Sequence, residues 1–434
     1  MKNTSCWLLA LSVATAFPGY AAVETNMAPV LTLPEAQTLA LRDHPRIAAA
    51  NYRALAAEEA VKETRAGYFP TANAYATAAG ADDEDTRIMA GGLNNPSVLD
   101  RAAGGVAVSQ LITDFGHTAN LTASSKFQAQ AENQNANATR EQVILQADTS
   151  YFGALEAQAV LRVAQQTFDT RQLLLDQVTA LATNKLRSEL DVSFARVALE
   201  EGRLLLERAQ NNTDATMASL STALGFHEFH QFQLVEPSLP ARTATNDVSG
   251  LIQTALSERP ELLSLRDDRD AALRYAKSQR DSRLPTIAAI GVAGDAPTHD
   301  SRLPDNYLAG GVQLSLPLFA GGLYLARQHE AERKAQAEAE MLRAAEDNVI
   351  RDVRIAWFNV NNAQEQLRTT EQLLKHATEA YALAEARYTT GISSIVELSQ
   401  AQLSLTSAEI ANTNARYDLL IQQANLDYQI GALH

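Results

Sequence analysis

The chain has 434 residues, 46% hydrophobic, 20% charged and only 6% aromatic, with 36 Lys and Arg against 51 Asp and Glu for a net charge of −15. That balance excludes a surface built for nucleic-acid phosphate, which is basic, and so few aromatics are thin filling for two or three large globular cores. A single cysteine, Cys6, excludes an internal disulfide, and no Cys/His cluster has zinc-ligand spacing, so no metal and no cofactor is expected.

In chain order, a basic end at Lys2, an apolar stretch from Trp7 to Phe17 and small residues at Gly19 and Ala21 mark residues 1–22 as a signal peptide, cleaved after Ala21 or Ala22. Cys6 lies ahead of the apolar stretch, so the mature chain carries no cysteine. No later apolar run reaches the ~18 residues of a membrane-spanning helix. Residues 34–69 read as an amphipathic helix closed by Pro70. Thr71, Asn73, Tyr75 and Thr77 then alternate with alanines, which predicts a strand over about 71–79, paired with one over about 103–112. A long helix follows over about 117–182, with Leu161, Phe168 and Leu175 on a seven-residue spacing. A tip turn near 184–190 leads into a returning helix over 190–224, and residues 227–246, with Pro237 and Pro240, form a linker.

The second half repeats this order: a helix over 247–284 closed by Pro285, strands over about 286–293 and 307–316, a long helix over about 322–389, a turn near 390–395 and a helix over 395–430. Leu308, Val312, Leu314 and Leu316 share one strand face, and Ala309, Gln313 and Ser315 the other. In the long helix Val353, Val360, Leu367, Leu374, Tyr381 and Tyr388 recur every seven residues, and Ala363, Thr370, Ala377 and Ala384 fill the intervening position, as in a tightly packed coiled coil. At 1.5 Å per residue it is about 100 Å long.

The halves are copies. Pro45 aligns with Pro260, Lys62 with Lys277 and Pro70-Thr71 with Pro285-Thr286, an offset of 215 (260 less 45). Past residue 104 the offset is 206 (310 less 104), matching Gly104-Gly105-Val106 with Gly310-Gly311-Val312 and Ala129-Gln130-Ala131-Glu132 with Ala335-Gln336-Ala337-Glu338. The repeats therefore occupy 23–226 and 247–434, and a variable loop belongs between residues 71 and 104. Two short helices end to end match one long helix, which makes an even four-column bundle. Strands of about ten residues with one apolar face suit a membrane barrel. Four strands cannot close one, and open edges are not tolerated in lipid, so several chains must contribute. The expected fold class is mainly α with a β-barrel part.

Leu33-Pro34-Glu35-Ala36, His44-Pro45, Gly67-Tyr68-Phe69-Pro70, Leu316-Pro317-Leu318-Phe319-Ala320-Gly321-Gly322, Ala356-Trp357-Phe358, Arg387-Tyr388-Thr389-Thr390-Gly391 and Ile395-Val396-Glu397-Leu398, in this order along a duplicated chain, resemble the TolC family of outer membrane efflux ducts. The resemblance covers about residues 30–432. It implies a homotrimer whose protomers each add four transmembrane strands to one twelve-stranded β-barrel in the outer membrane of a Gram-negative bacterium. Long coiled-coil hairpins continue it as an α-barrel through the periplasm, with a collar from Phe226 to Asp247. It also implies a passive duct for efflux or type I secretion rather than an enzyme. An inner-membrane efflux pump or ABC secretion transporter energises such a duct through a periplasmic membrane fusion adaptor, outer membrane lipid surrounds it, and nucleic acid is no partner. The alternative is a periplasmic coiled-coil adaptor or scaffold without a pore, which shows one helical hairpin between β-rich domains where this chain shows two.

The expected functional site is the tip. Asp191 and Glu397 (397 less 191 is again 206) start the two returning helices, and three chains bring six carboxylates towards the axis, a cation-favouring arrangement. The resemblance implies an acidic gate and a tie between Tyr388 and Asp191. Gln400 stands where the family has a second acidic residue, so tight divalent-cation binding is not expected. The tip turns, Lys185, Leu186, Arg187 and Ser188 in one repeat and Gly391, Ile392, Ser393 and Ser394 in the other, are the expected adaptor contacts. Asp191 and Glu397 read equally well as ordinary helix-start carboxylates stabilised by the dipole. His227 and His230 belong to a collar loop rather than a metal site. The run Asp82-Asp83-Glu84-Asp85 and Asp295, Asp300 and Asp305 fall in hairpin loops facing outside.

Overall fold

A computed structural model describes residues 29–79, 101–237, 247–298 and 304–433. The expected signal peptide with Cys6, the acidic run Asp82 to Asp85, Asp300 and Pro240 lie outside the described residues.

The chain enters as β1 (Val30–Leu31), followed by α1 (Leu33–Asp43) and α2 (Pro45–Ala66). The single helix expected over 34–69 is thus two. Pro45 has no N–H and disfavours helical backbone in the residue before it, so His44 adopts φ −73°, ψ 121° and the helix restarts with Pro45 in its first position. The His44 Nδ1 accepts the Arg46 N–H at 3.2 Å and caps the restart. The second repeat breaks likewise at Arg259-Pro260, between α5 (Val248–Glu258) and α6 (Pro260–Asp281).

Four strands, β2 (Thr71–Ala79), β3 (Arg101–Thr113), β5 (Thr286–Thr298) and β6 (Asn306–Ser315), form an antiparallel sheet in the order β2-β3-β5-β6. The strand expected to stop at about residue 293 runs to Thr298, because Ala102 on β3 still pairs with it there. Register places Val106, Ala293 and Leu308 in one row, so the exposed Val106, Val108, Leu308, Val312 and Leu314 share a face. The opposite face carries Thr71, Asn73, Ser109, Gln313 and Ser315. This is the apolar-out, polar-in alternation of a lipid-facing sheet.

Two helices of 67 residues, α3 (His117–Thr183) and α7 (Leu323–Thr389), each about 100 Å long, set the height of the molecule. Each turns back into a 35-residue helix, α4 (Glu189–Ala223) and α8 (Ile395–Gln429). Near the sheet α3 packs between α2 and α6, and near the tip between α4 and α8, while α7 packs against α6 and then α8. The columns therefore run α2 above α4, then α3, then α6 above α8, then α7. None of the described helices is long and apolar enough to cross a membrane.

The largest core sits mid-height, where β1 pairs in parallel with β4 (Gln233–Leu234) across α3. Tyr151 is fully buried there, its hydroxyl 2.9 Å from the Leu31 carbonyl and accepting the Val235 N–H at 3.1 Å. Asp148, one turn away, is 4% exposed and accepts from Gln37 Nε2 at 2.7 Å. Burial pushes its carboxyl up to about 6, against the Gln37 bond. A carboxyl raised in the native state holds its proton more tightly than in the unfolded chain, so stability falls as pH rises from the ordinary value near 4 through about 6. Asp148→Asn removes that slope and raises stability at pH 8 by on the order of 2 kcal/mol, read by urea unfolding at pH 5 and pH 8.

Lower down, α7 buries Val360, Ala363, Ala377, Ala384 and Tyr388 as its spacing predicts. In α3 the same two lines recur at an offset of 206: Arg171 and Val178 are buried like Ala377 and Ala384, and Leu161, Phe168 and Leu175 are half-buried like Leu367, Leu374 and Tyr381. Arg171 fits because α4 offers Gly202, where a Cβ would stand 3.1 Å from the arginine Cδ, and its Nη1 donates to the Ala198 carbonyl at 2.6 Å.

Candidate functional site: the helical tip

Both hairpins turn at the same end of the bundle. In the first, Lys185 takes a left-handed φ of 60° and Ser188 caps α4. Ser188 Oγ accepts the Asp191 N–H at 3.2 Å, and the Asp191 carboxylate accepts the Ser188 N–H at 3.1 Å and its hydroxyl at 2.9 Å, a reciprocal capping box. In the second, Gly391 supplies a φ of 77° and Ser394 Oγ accepts the Glu397 N–H at 3.4 Å. The Glu397 carboxylate lies 3.2 Å from Arg387 Nε. The Asp191 carboxylate is thus tied to its own helix start and that of Glu397 to the last turn of α7, and both remain partly exposed.

A small core joins the hairpins: Val178, Val192, Ala195, Ala384, Tyr388, Ile395 and Leu398. Tyr388 is 5% exposed, and its hydroxyl has no hydrogen-bond partner. Its partner across the hairpins is Arg187 rather than the expected Asp191. The Arg187 guanidinium stands 4.3 Å from the Tyr388 ring centroid, and its Nη2 donates to the Tyr388 carbonyl at 2.9 Å. Burial pushes the Tyr388 phenol above its ordinary value, opposed by Arg187 and assisted by the nearby Asp191 charge. Asp191 is drawn away by its capping role, and the longer arginine bridges the gap.

Around this core, Leu186 and Ile392 project with 68% and 71% of their surface exposed, and Lys185 and Gln400 are also exposed. Ser393 is buried with its hydroxyl unpartnered. The sequence placed Arg187 in the tip turn without its bridging role, and missed Arg387. Both were detectable as asymmetries of the duplication, because at an offset of 206 Arg187 falls on Ser393 and Leu181 on Arg387. His230 lies with its ring centroid 4.5 Å from that of Phe226, tilted by 34°, in the segment between α4 and β4, and among the described residues no group of three His, Cys, Asp or Glu side chains is placed to hold a metal.

A family profile described as outer membrane efflux protein matches residues 37–226 and 251–432. The outer membrane protein TolC of Escherichia coli K12 is 27% identical over 317 residues, 68% of this chain and 62% of that protein. TolC of Vibrio cholerae is 27% identical over 346 residues, 78% of each chain. The alkaline protease secretion protein AprF of Pseudomonas aeruginosa is 26% identical over 322 residues, 70% of this chain and 65% of its own. Matches to the Escherichia coli protein thus span less than two thirds of its length. Among solved structures, a membrane protein from Pseudomonas aeruginosa superposes with a TM-score of 0.80 at 21% identity, covering 93% of this chain and 91% of that one. VceC, an outer membrane protein of Vibrio cholerae, gives 0.77 at 17% identity, covering 92% and 96%. At such identities these structures show the fold: a helical barrel joined to a β-barrel, of which this chain is one protomer's share.

Proposed function

Because the chain belongs to the outer membrane efflux protein family, we propose that it is a passive exit duct for efflux or secretion, a homotrimer set in the outer membrane and reaching through the periplasm. The observation that carries this is the four-stranded sheet with an apolar outer face and two open edges, β2 and β6, standing on a four-column helical wall that is also open at both sides. Closing three such walls edge to edge satisfies every open strand edge, which lipid demands. The two repeats, 23–226 and 247–434, then form each third of the tunnel, and 227–246 the collar link. Partners are a periplasmic adaptor, seated on the exposed Leu186 and Ile392 turns, and an inner-membrane pump or secretion transporter behind it. The family is one of channel proteins, and no catalysis is proposed. Nothing in the fold favours the adaptor reading.

At the tip, Arg187 ties the second hairpin to the first and so holds the entrance narrow. Arg187→Ala removes a charge-assisted hydrogen bond and a cation–π contact together, about 2 kcal/mol, and is expected to raise single-channel conductance in planar bilayers several-fold. Asp191→Ala combined with Glu397→Ala lessens cation selectivity in the same recordings. Unchanged conductance in the first variant, or unchanged selectivity in the second, refutes the gate reading.

A further inference from the structure

Away from the tip, a hollow of about 610 Å³ opens where α2, α3, the α5–α6 break and the C-terminal segment meet. Leu41, Ile47 and Leu433 give it apolar walls, and Asn51 and Asn137 line its polar part. Glu141 also lines it, and is the exception to normal satisfaction of buried polar groups: it is 5% exposed, and its Oε2 is shut off from solvent with no hydrogen-bond partner. Neither nearby arginine meets this need. Arg259 donates to Gln429 at 2.9 Å and to Glu261 at 3.4 Å, and the exposed Arg140 reaches Asn51 at 3.3 Å. The other carboxylate on the wall, Glu258, is exposed. The fold does not require a buried acid here, because the matching position of the second repeat, Asp347, is exposed.

We propose that this hollow binds an amphipathic amine, an apolar body with a single ammonium group that donates to Glu141. Apolar walls beside one unsatisfied acceptor select that chemistry over an anion, which Glu141 and Glu258 repel, and over a neutral apolar molecule, which leaves the carboxylate unmet. Burial and the neighbouring Glu261 push Glu141 up to about 7 against the pull of Arg259, so the ammonium binds more tightly as pH rises through about 7 and the carboxyl ionises.

The test is calorimetric titration of the full-length trimer in detergent with hexylammonium, and with 1-hexanol as the neutral control of equal apolar length. Hexylammonium is expected to bind once per chain, at least ~tenfold tighter than hexanol at pH 8, and Glu141→Gln to remove that preference while hexanol binding is unchanged. Equal affinity for the two probes, or an unchanged preference in Glu141→Gln, overturns the proposal. Asn137→Trp, which fills the hollow from its exposed rim, provides a second arm should Glu141→Gln misfold: both probes lose binding, and retained hexylammonium binding overturns the site. Loss of the trimer itself reads separately, on gels.

Discussion

Proline at Val312, in β6, is expected to abolish the heat-resistant trimer on gels while the helical signal of the protein remains. The outer edge of β6 is unpaired within the described sheet, as is that of β2, and each backbone group left unsatisfied in hydrocarbon costs several kcal/mol. Alternate N–H groups of an edge strand point away from its own sheet, so neighbouring prolines differ in what they remove. Of Gly311→Pro and Val312→Pro, one strips a bond to β5 and the other a donor towards the next protomer. Proline also fixes φ and bends the strand, so both disturb the junction, and trimer yield falls at least ~tenfold. The helices are unaffected because α3 and α7 pack along their lengths far from the sheet. A Val312→Pro protein that migrates as a normal heat-resistant trimer contradicts closure through β6.

Tyr151→Ala is expected to lower stability by about 3–5 kcal/mol, the range for deleting a buried aromatic, and to release the collar. Tyr151 is fully buried among Leu31, Val143, Leu220 and Phe232, so deletion leaves a cavity walled by rigid helices. Its hydroxyl also joins Leu31 of β1 to Val235 beside β4, two segments that pair over only two residues. Tyr151→Phe keeps the ring and isolates that link, at about 0.5–1.5 kcal/mol for the lost hydroxyl bonds, because the Val235 N–H still donates to the Leu31 carbonyl at 3.1 Å. Urea unfolding measures both. Loss of protection of the 30–31 and 233–235 amides from hydrogen exchange in Tyr151→Phe, with α3 unchanged, assigns the hydroxyl to the collar. If Tyr151→Phe is as stable as the parent, that bond contributes nothing net.

The comparison of expected and observed elements separates two kinds of information. Seven-residue recurrence from Val353 to Tyr388 located α7 and its inward face, on which Val353, Val360 and Tyr388 are buried and Leu367, Leu374 and Tyr381 half-buried. The same spacing in α3 located that helix, whose Leu161, Phe168 and Leu175 are half-buried like their counterparts Leu367, Leu374 and Tyr381 in α7. Helix breaks at His44 and Arg259 were readable from the prolines that follow them, yet a continuous amphipathic pattern masked them. Tip carboxylates were found by their place in the duplication. Their partners were not, because Ser188, Arg387 and Arg187 reach them or displace them only once the turns close.

By itself the sequence determined the duplication, the two long helices and their returning helices, the places of the four sheet strands and the positions of the tip turns. These rest on local periodicity, on proline and glycine geometry, and on the fixed rise of a helix, all of which act within a few residues. Only the tertiary structure decided that Arg187 rather than Asp191 holds Tyr388, that α3 buries Arg171 opposite Gly202, and that Glu141 faces a hollow with its carboxylate unmet. Each of these depends on which neighbouring column a side chain meets. That is set by packing between segments up to two hundred residues apart in the chain, where side-chain reach and local vacancy, not spacing, choose the partner.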